Sequence, residues 1–111
     1  MSQFLFIYRG GMSEGTSPAE MQQQMQRWMT WLKDLGEKGF VKDPGQPLER
    51  AGKVVAGKQK TVTDGPFAEK DLVSGFSIIE AKDLSHATEL SLGCPIFLYA
   101  GAVEVRPIAK M

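Results

Sequence analysis

The residue that best suits acid–base chemistry is Asp64, which precedes Gly65 and Pro66. An Asp that opens a turn usually accepts a hydrogen bond from the backbone N–H two residues further on. Here that residue is Pro66, which has no N–H, so the carboxylate needs another partner. Two hypotheses follow. Asp64 either caps the N–H of Phe67 or of a later residue, or it faces a pocket as a general base or ligand acceptor.

Three further residues are candidates for ligand binding at strand ends. Tyr8 and Arg9 end the first apolar segment, where a hydroxyl group and a planar cation suit an anionic or phenolic ligand. The alternatives are interface packing for Tyr8 and a solvated charge for Arg9. Arg106 alternates with Val105 and should face away from it. It either forms an ion pair, with Glu104 or a partner-chain carboxylate, or contacts a ligand.

Four other side chains carry weaker signals. Phe67 belongs either to the core or to an apolar platform for a ligand, and Lys70 is either solvated or in contact with that ligand. His86 is predicted near the start of a helix, where it is exposed by default and where the helix dipole disfavours its protonation. Cys94 is predicted to be buried, because the end of the preceding helix lacks the positive field that stabilises a thiolate.

The composition excludes several classes of protein. The chain has 111 residues with 13 basic and 13 acidic side chains, one Cys and one His. That length predicts one domain over residues 1–111, and the zero net charge gives no electrostatic footprint of a nucleic-acid binder. The soft ligands are too few for a zinc or iron–sulfur site within one chain. Without a dinucleotide fingerprint or P-loop, we expect chemistry that needs no cofactor.

Targeting signals are also missing from the sequence. The first eight residues lack the charged region and cleavage site of a secretory signal, and no apolar stretch approaches the roughly 20 residues that span a bilayer. We therefore expect a cytoplasmic protein that does not interact with membranes.

The first half of the chain predicts a strand followed by a long helix. Phe4 to Tyr8 is apolar at every position, which is typical of a strand buried on both faces. Ser17 can cap the helix, with Pro18 at its first position and Glu20 completing a capping box. Gly36 or Gly39 should end it. The predicted core-facing stripe is Met21, Met25, Trp28, Met29, Leu32 and Leu35.

The second half predicts a hairpin, two strands and a short helix. Strands beginning at Lys53 and Lys60 flank the hairpin loop, and a short segment around Leu48 is a candidate for pairing at a sheet edge. A strand follows from Val73 to Glu80, with Phe76 and Ile78 on one face and Ser77 and Ile79 on the other. Asp83 caps the second helix, residues 96–99 are ambiguous, and the last strand covers residues 103–106.

This order of elements is the split β-α-β arrangement of ferredoxin-like α+β folds, with an extra hairpin. Two helices can cover only one face of the antiparallel sheet. The apolar strand residues on the other face need a cover, which a second subunit supplies most simply. The pattern therefore predicts a homodimer that associates through the sheet.

The segment from Thr61 to Glu69, which contains Asp-Gly-Pro-Phe, resembles the signature of the DGPF branch of the YCII-related proteins. The similarity extends along nearly the whole chain, through the Phe4 strand, Cys94-Pro95 and the terminal Glu104-Val105-Arg106-Pro107. The resemblance implies a ferredoxin-like subunit of the dimeric α/β-barrel superfamily and a bacterial origin. Most members of the family are uncharacterised.

The resemblance implies two different functions. Some family members are similar in context to partners of extracytoplasmic-function sigma factors, and one YCII relative is a dehydrochlorinase. Other YCII proteins have a His on the first helix that is proposed to work with an Asp. That position falls near Trp28 here, so the His-Asp mechanism does not transfer.

Two hypotheses from different classes therefore stand. The first is a small-molecule binder or cofactor-independent acid/base enzyme, with Asp64 in a pocket near the dimer interface. The second is a regulatory module that binds a sigma factor. A closed pocket around a buried Asp64 favours the enzyme, whereas a filled interior with a large exposed apolar patch favours the module.

Overall fold

The computed structural model describes residues 1–12, 15–65 and 72–111. Its elements, in chain order, are β1 (Ser2–Arg9), α1 (Pro18–Glu37), β2 (Val41–Asp43), β3 (Lys53–Ala56), β4 (Thr61–Asp64), β5 (Val73–Ala81), α2 (Leu84–Ser91), a 3-10 helix (Pro95–Tyr99) and β6 (Ala102–Pro107). The residues that the sequence left ambiguous form the 3-10 helix. The predicted order of strands and helices is confirmed, except that β2 lies at Val41–Asp43, where no strand was predicted.

Four strands form an antiparallel sheet in the order β2-β5-β1-β6, and β3 pairs with β4 in a separate hairpin. Because β5 lies between β1 and β2, the two strands joined by α1 are split, as the ferredoxin-like prediction requires. Beyond β2, Pro47 bridges Gly75, and the Leu48 N–H donates to the Ser74 carbonyl at 2.8 Å. The predicted pairing of this segment at the sheet edge is confirmed.

The core lies between one face of the sheet and the two helices. Phe4, Phe6 and Tyr8 alternate along β1 on that face, opposite Ile79, Ser77 and Gly75 of β5. Trp28 and Trp31 of α1, together with Ala87 and Leu90 of α2, pack against this cluster. Both helices therefore cover the same face. Leu5 and Ile7 point to the other side and are half-buried, so full burial on both faces is not reached within one chain.

The ends of α1 agree with the signals in the sequence. The Ser17 hydroxyl accepts the Glu20 N–H at 3.2 Å, which confirms the predicted cap. At the other end Gly39 has a φ of +84°, its N–H donates to the Gly36 carbonyl, and the Phe40 N–H donates to the Leu35 carbonyl. This pair of bonds is a Schellman motif, in which the left-handed residue is usually glycine. Gly39 rather than Gly36 therefore ends the helix.

The predicted core-facing stripe of α1 is wrong for its three methionines. Met21, Met25 and Met29 are 50%, 63% and 64% exposed, respectively. The helix is turned so that the larger indole rings of Trp28 and Trp31 lie against the sheet, which buries more apolar surface than the thioethers would. The residues along this buried side are Gln24, Trp28, Trp31 and Leu35. The methionines form an exposed row beside it, called here the methionine row.

The start of α2 is also close to its prediction. The Asp83 carboxylate accepts the His86 N–H at 2.8 Å, so the predicted cap is confirmed. His86 itself is half-buried rather than exposed. Its ring lies edge-on to Phe40 at a centroid distance of 5.0 Å, and its Nδ1 accepts the Lys82 N–H at 3.1 Å. The local cap folds the side chain back over the core edge.

Candidate functional site

Asp64 is the last residue of β4, and Lys53 is its cross-strand partner in the hairpin. The Lys53 Nζ lies 2.5 Å from Asp64 Oδ1, and the aspartate side chain is 91% exposed. An ion pair in this setting is surrounded by water. Within the described residues, Asp64 is therefore not enclosed in a pocket, and its catalytic role stays a prediction.

Two of the predicted binding residues, Phe67 and Lys70, lie outside the described residues, as does the capping alternative for Asp64 at the Phe67 N–H. Of the Asp-Gly-Pro-Phe motif, the structure describes Asp64 and Gly65. The Gly65 N–H donates to the Gly52 carbonyl at 2.7 Å, and Gly65 has a φ of +77°. The start of the motif thus closes the base of the hairpin.

Tyr8 lies in the core, with 4% of its surface exposed. Its ring packs edge-on against Trp28 at a centroid distance of 4.5 Å, and its hydroxyl donates to Ser77 Oγ at 2.8 Å. Ser77 in turn donates to the Pro44 carbonyl at 2.6 Å. Burial raises the pKa of the Tyr8 hydroxyl well above its ordinary value. The hydroxyl is therefore bound inside the protein, and a ligand role for Tyr8 stays a prediction.

Arg9 and Arg106 lie beside each other on the sheet face that carries no helix, with Glu104 between them. Arg9 Nη2 is 2.9 Å from Glu104 Oε1, and its Nε donates to the same oxygen at 3.0 Å. Arg106 Nε lies 3.9 Å from Glu104 Oε2, which confirms the predicted ion pair. Val105 packs against the core on the opposite face, so the predicted outward direction of Arg106 is confirmed as well.

Apolar side chains lie next to this charged group. The pairing register places Leu5 opposite Ile78, and Ile7 opposite Phe76, on the same side of the sheet as Glu104 and Arg106. All four apolar residues are half-buried. They form a helix-free apolar face, defined here as Leu5, Ile7, Phe76 and Ile78, with charged residues along its β6 side.

One surface feature was missed by the sequence analysis. An open groove of about 650 Å³ runs between α1 and the turn that follows α2, far from Asp64 in the chain. It is lined by residues that include Arg27, Trp31 and Pro95. Gln24, which is buried, connects its two sides, because its amide donates to the Pro95 carbonyl at 2.8 Å. Nothing in the sequence distinguishes Gln24 from the neighbouring glutamines of α1, so this role gave no signal there.

A family model describing a YCII-related domain matches residues 4–111. The chain belongs to the YCII-related family. A search of curated proteins found no match to this YCII-related chain. In this chain Trp28 packs between Tyr8 and Trp31. The sequence resemblance aligns Trp28 approximately with the histidine that other family members have on their first helix.

Over residues 1–12, 15–65 and 72–111, no three His, Cys, Asp or Glu side chains are grouped closely enough to hold a metal ion. Among the same described residues, neither helix combines the length and apolar character that crossing a bilayer requires.

Proposed function

We propose that this YCII-related protein is a homodimeric binding module whose subunits associate through the helix-free apolar face. The observation that carries the proposal is that Leu5, Ile7, Phe76 and Ile78 share a sheet face on which neither described helix packs. Each is half-buried, so a flat partner surface can remove the remaining area from water. An apolar centre with a charged rim is the usual composition of a protein interface.

The energetics favour association through this face. Removing apolar surface from water contributes roughly 25 cal/mol per Å², so several Leu, Ile and Phe side chains on each subunit contribute several kcal/mol before association entropy is subtracted. A twofold axis brings the same patch of both subunits together. It also brings Glu104 and Arg106 of each subunit to the rim of the contact, where exposed charges set orientation more than affinity.

A binding role fits the described residues better than acid/base turnover. The interior is filled by Phe6, Ile79 and Ile96, and Asp64 stands in water beside Lys53. With the sheet face used for assembly, the methionine row on α1 supplies an exposed apolar surface for a protein partner. Methionine side chains adapt to different partner shapes, and such rows occur at binding surfaces. The partner that the sequence resemblance suggests testing first is an extracytoplasmic-function sigma factor.

Assembly is tested by light scattering on the wild type, Ile7→Lys and Met25→Lys. The wild type should have twice the monomer mass at micromolar concentration. Ile7→Lys places a charge in the apolar centre and should be monomeric, whereas Met25→Lys lies on α1 and should remain dimeric. A monomeric wild type, or a dimer that survives Ile7→Lys, contradicts the proposed interface.

Partner binding is tested separately, by size-exclusion chromatography of the purified dimer mixed with the purified sigma factor. The wild type should co-elute with it, and Met25→Lys should not, although both are dimers. If Met25→Lys binds as well as the wild type, the methionine row is not the contact. Failure of the wild type to bind removes the sigma factor as the partner.

The second candidate function is the binding of a small molecule near the interface. The observation that favours it is the exposure of the Arg106 guanidinium. Its side chain is 66% exposed at the rim of the apolar face, 3.9 Å from Glu104. A guanidinium in this position suits a carboxylate or phenolate. In a thermal-shift screen of metabolites, Asp64→Asn should leave the dimer intact and abolish any ligand response if Asp64 belongs to the site. An unchanged response removes it.

A further inference from the structure

The groove beside α1 lies on the opposite side of the sheet from the proposed dimer contact. Its volume of about 650 Å³ is in the range of sites that bind small molecules. Trp31 and Pro95 supply apolar lining, and the polar lining comes from Gln23, Gln26, Arg27 and Thr30. The groove therefore combines a flat apolar wall with several hydrogen-bonding groups.

Arg27 is held in place by the buried Gln24. The Gln24 amide donates to the Pro95 carbonyl at 2.8 Å, and its Oε1 accepts a hydrogen bond from Arg27 Nη1 at 3.0 Å. Gln24 is only 3% exposed, so its orientation is fixed by the packing of α1 against the 3-10 helix. The guanidinium is thereby positioned at the groove before any ligand arrives, which lowers the entropy lost on binding.

Tyr99 and Glu20 are the other polar neighbours of this part of the groove. The Tyr99 hydroxyl donates to the Glu20 carboxylate, which raises the pKa of that phenol, and the nearby Arg27 charge acts to lower it. The side-chain hydrogen bond that Arg27 makes is to the neutral Gln24 amide. No carboxylate of the described residues lies within ion-pair distance of Arg27. A guanidinium has five N–H donors, so further donors remain for a ligand.

The indole of Trp31 provides a second donor beside the apolar wall. A Cβ atom placed on Gly93 would lie 3.2 Å from Trp31 Nε1, so the lack of a side chain there leaves the indole edge open. Among the described hydrogen bonds, the Trp31 N–H has no protein acceptor. Among the described residues that line the groove, the acidic one is Asp34, which is paired with Lys38 at 3.1 Å, and this pairing reduces its repulsion of an anion.

We propose that this groove binds a small aromatic carboxylate, whose carboxylate group contacts Arg27 and whose ring lies against Trp31 and Pro95. The planar guanidinium matches a carboxylate with two parallel hydrogen bonds, and its charge strengthens both. The ring of the ligand gains apolar contact with the indole. This site does not depend on the dimer contact, because it is complete within one subunit.

The test uses benzoate as the probe and benzamide as its neutral counterpart. For a ligand of this size, binding to the wild type should be saturable with a Kd of about 1 mM, or roughly 0.5 kcal/mol per heavy atom. Nuclear magnetic resonance titration should shift the indole N–H signal of Trp31, assigned with Trp31→Phe. Benzamide should bind about tenfold more weakly, because it lacks the charge that Arg27 recognises.

Arg27→Gln should reduce benzoate affinity at least about tenfold, and Arg27→Lys should retain part of it as a point charge without the planar fork. Lys33→Gln, which removes an exposed positive charge from the same helix outside the groove, is the matched control and should bind benzoate as the wild type does. Light scattering on the same variants separates this test from that of the dimer. The proposal is overturned if benzamide binds equally well, if Arg27→Gln keeps full affinity, or if no saturable shift of the Trp31 signal occurs.

Discussion

The sheet-and-helix body and the β3–β4 hairpin gain their order in different ways. In the body, β1 alternates fully buried with half-buried side chains, and the helices close one face. In the hairpin every strand residue is exposed except Val54, and the cross-strand pair Val55 and Val62 is 63% and 57% exposed. A lone two-stranded hairpin is marginal in water. The body is therefore stabilised by the packing of buried side chains. The hairpin depends on the hydrogen bonds between its two strands and on contacts with other parts of the assembled protein.

The largest expected contrast comes from truncating one apolar residue in each region. Phe6 is fully buried, so Phe6→Ala should lower the free energy of unfolding by about 3–5 kcal/mol. Val55→Ala should change it by less than about 0.5 kcal/mol, because the side chain is already in water. Denaturant unfolding measures both. A loss above about 1 kcal/mol for Val55→Ala would show that the hairpin is covered in solution, for instance by a second subunit.

Two glycines with nearly equal φ angles give the next contrast. A Cβ on Gly45 would lie 1.6 Å from the Phe76 carbonyl oxygen, whereas Gly57 in the hairpin has open space, and their φ angles are +77° and +78°. Gly57→Ala should cost only the left-handed strain of about 1 kcal/mol, and Gly45→Ala should cost about 2 kcal/mol more. Equal melting temperatures for the two variants would contradict the close approach of residues 45 and 76.

The pH dependence of stability tests the sheet-and-helix body, because its core contains Cys94. Burial raises the pKa of the Cys94 thiol from 9.0 to about 12. Above pH 9 the unfolded chain loses this proton and the folded chain keeps it, so stability falls as the pH rises through that window. The slope should reach up to about 1.4 kcal/mol per pH unit.

Chemical unfolding between pH 8 and 10 measures this slope, with Cys94→Ala as the control that should flatten it. Tyr8 adds to the fall only above its own ordinary value of 10.0, so the lower part of the window reports on Cys94. A wild-type slope identical to that of Cys94→Ala would mean that the thiol titrates normally in the folded protein.

The smallest effect should come from the hairpin ion pair. Lys53 and Asp64 have side chains that are 65% and 91% exposed, so their attraction is weakened by water. Lys53→Ala should destabilise the protein by no more than about 0.5 kcal/mol, and added salt should erase the difference from the wild type. A larger, salt-resistant loss would indicate that Asp64 is enclosed in the assembled protein, which is what a catalytic role requires.

Local signals in the sequence predicted the helix caps and the order of the elements along the chain well, although they missed β2. Ser17, Asp83 and Gly39 act within one turn of where they stand, so their roles do not depend on distant packing. The same holds for the alternation of Phe76 and Ile78 with Ser77 and Ile79. The hairpin was also predicted, with its loop displaced by one residue, at 57–60 rather than 56–59.

The packing of α1 could not be predicted from the same pattern. Its methionines and its tryptophans form two adjacent apolar stripes, and helical spacing does not rank one above the other. The choice depends on Tyr8 and Phe6, whose rings lie against Trp28 and Trp31, and on the Gln24 amide reaching Pro95. All of these contacts join residues far apart in the chain. For the candidate site, likewise, the residue types and spacing around Asp64 did not indicate that its side chain is exposed.

The hydroxyl chain from Tyr8 through Ser77 to Pro44 has a fixed polarity. Its last member is a carbonyl oxygen, which accepts and never donates, so Ser77 must point its proton there and Tyr8 must point its own toward Ser77. The phenol proton of Tyr8 is therefore not available to another acceptor. Residue 77 must accept one hydrogen bond and donate another, and it must be as small as serine. Ser77→Ala would leave two polar groups without these hydrogen bonds at once, the Tyr8 hydroxyl on β1 and the Pro44 carbonyl in the turn beside the sheet edge.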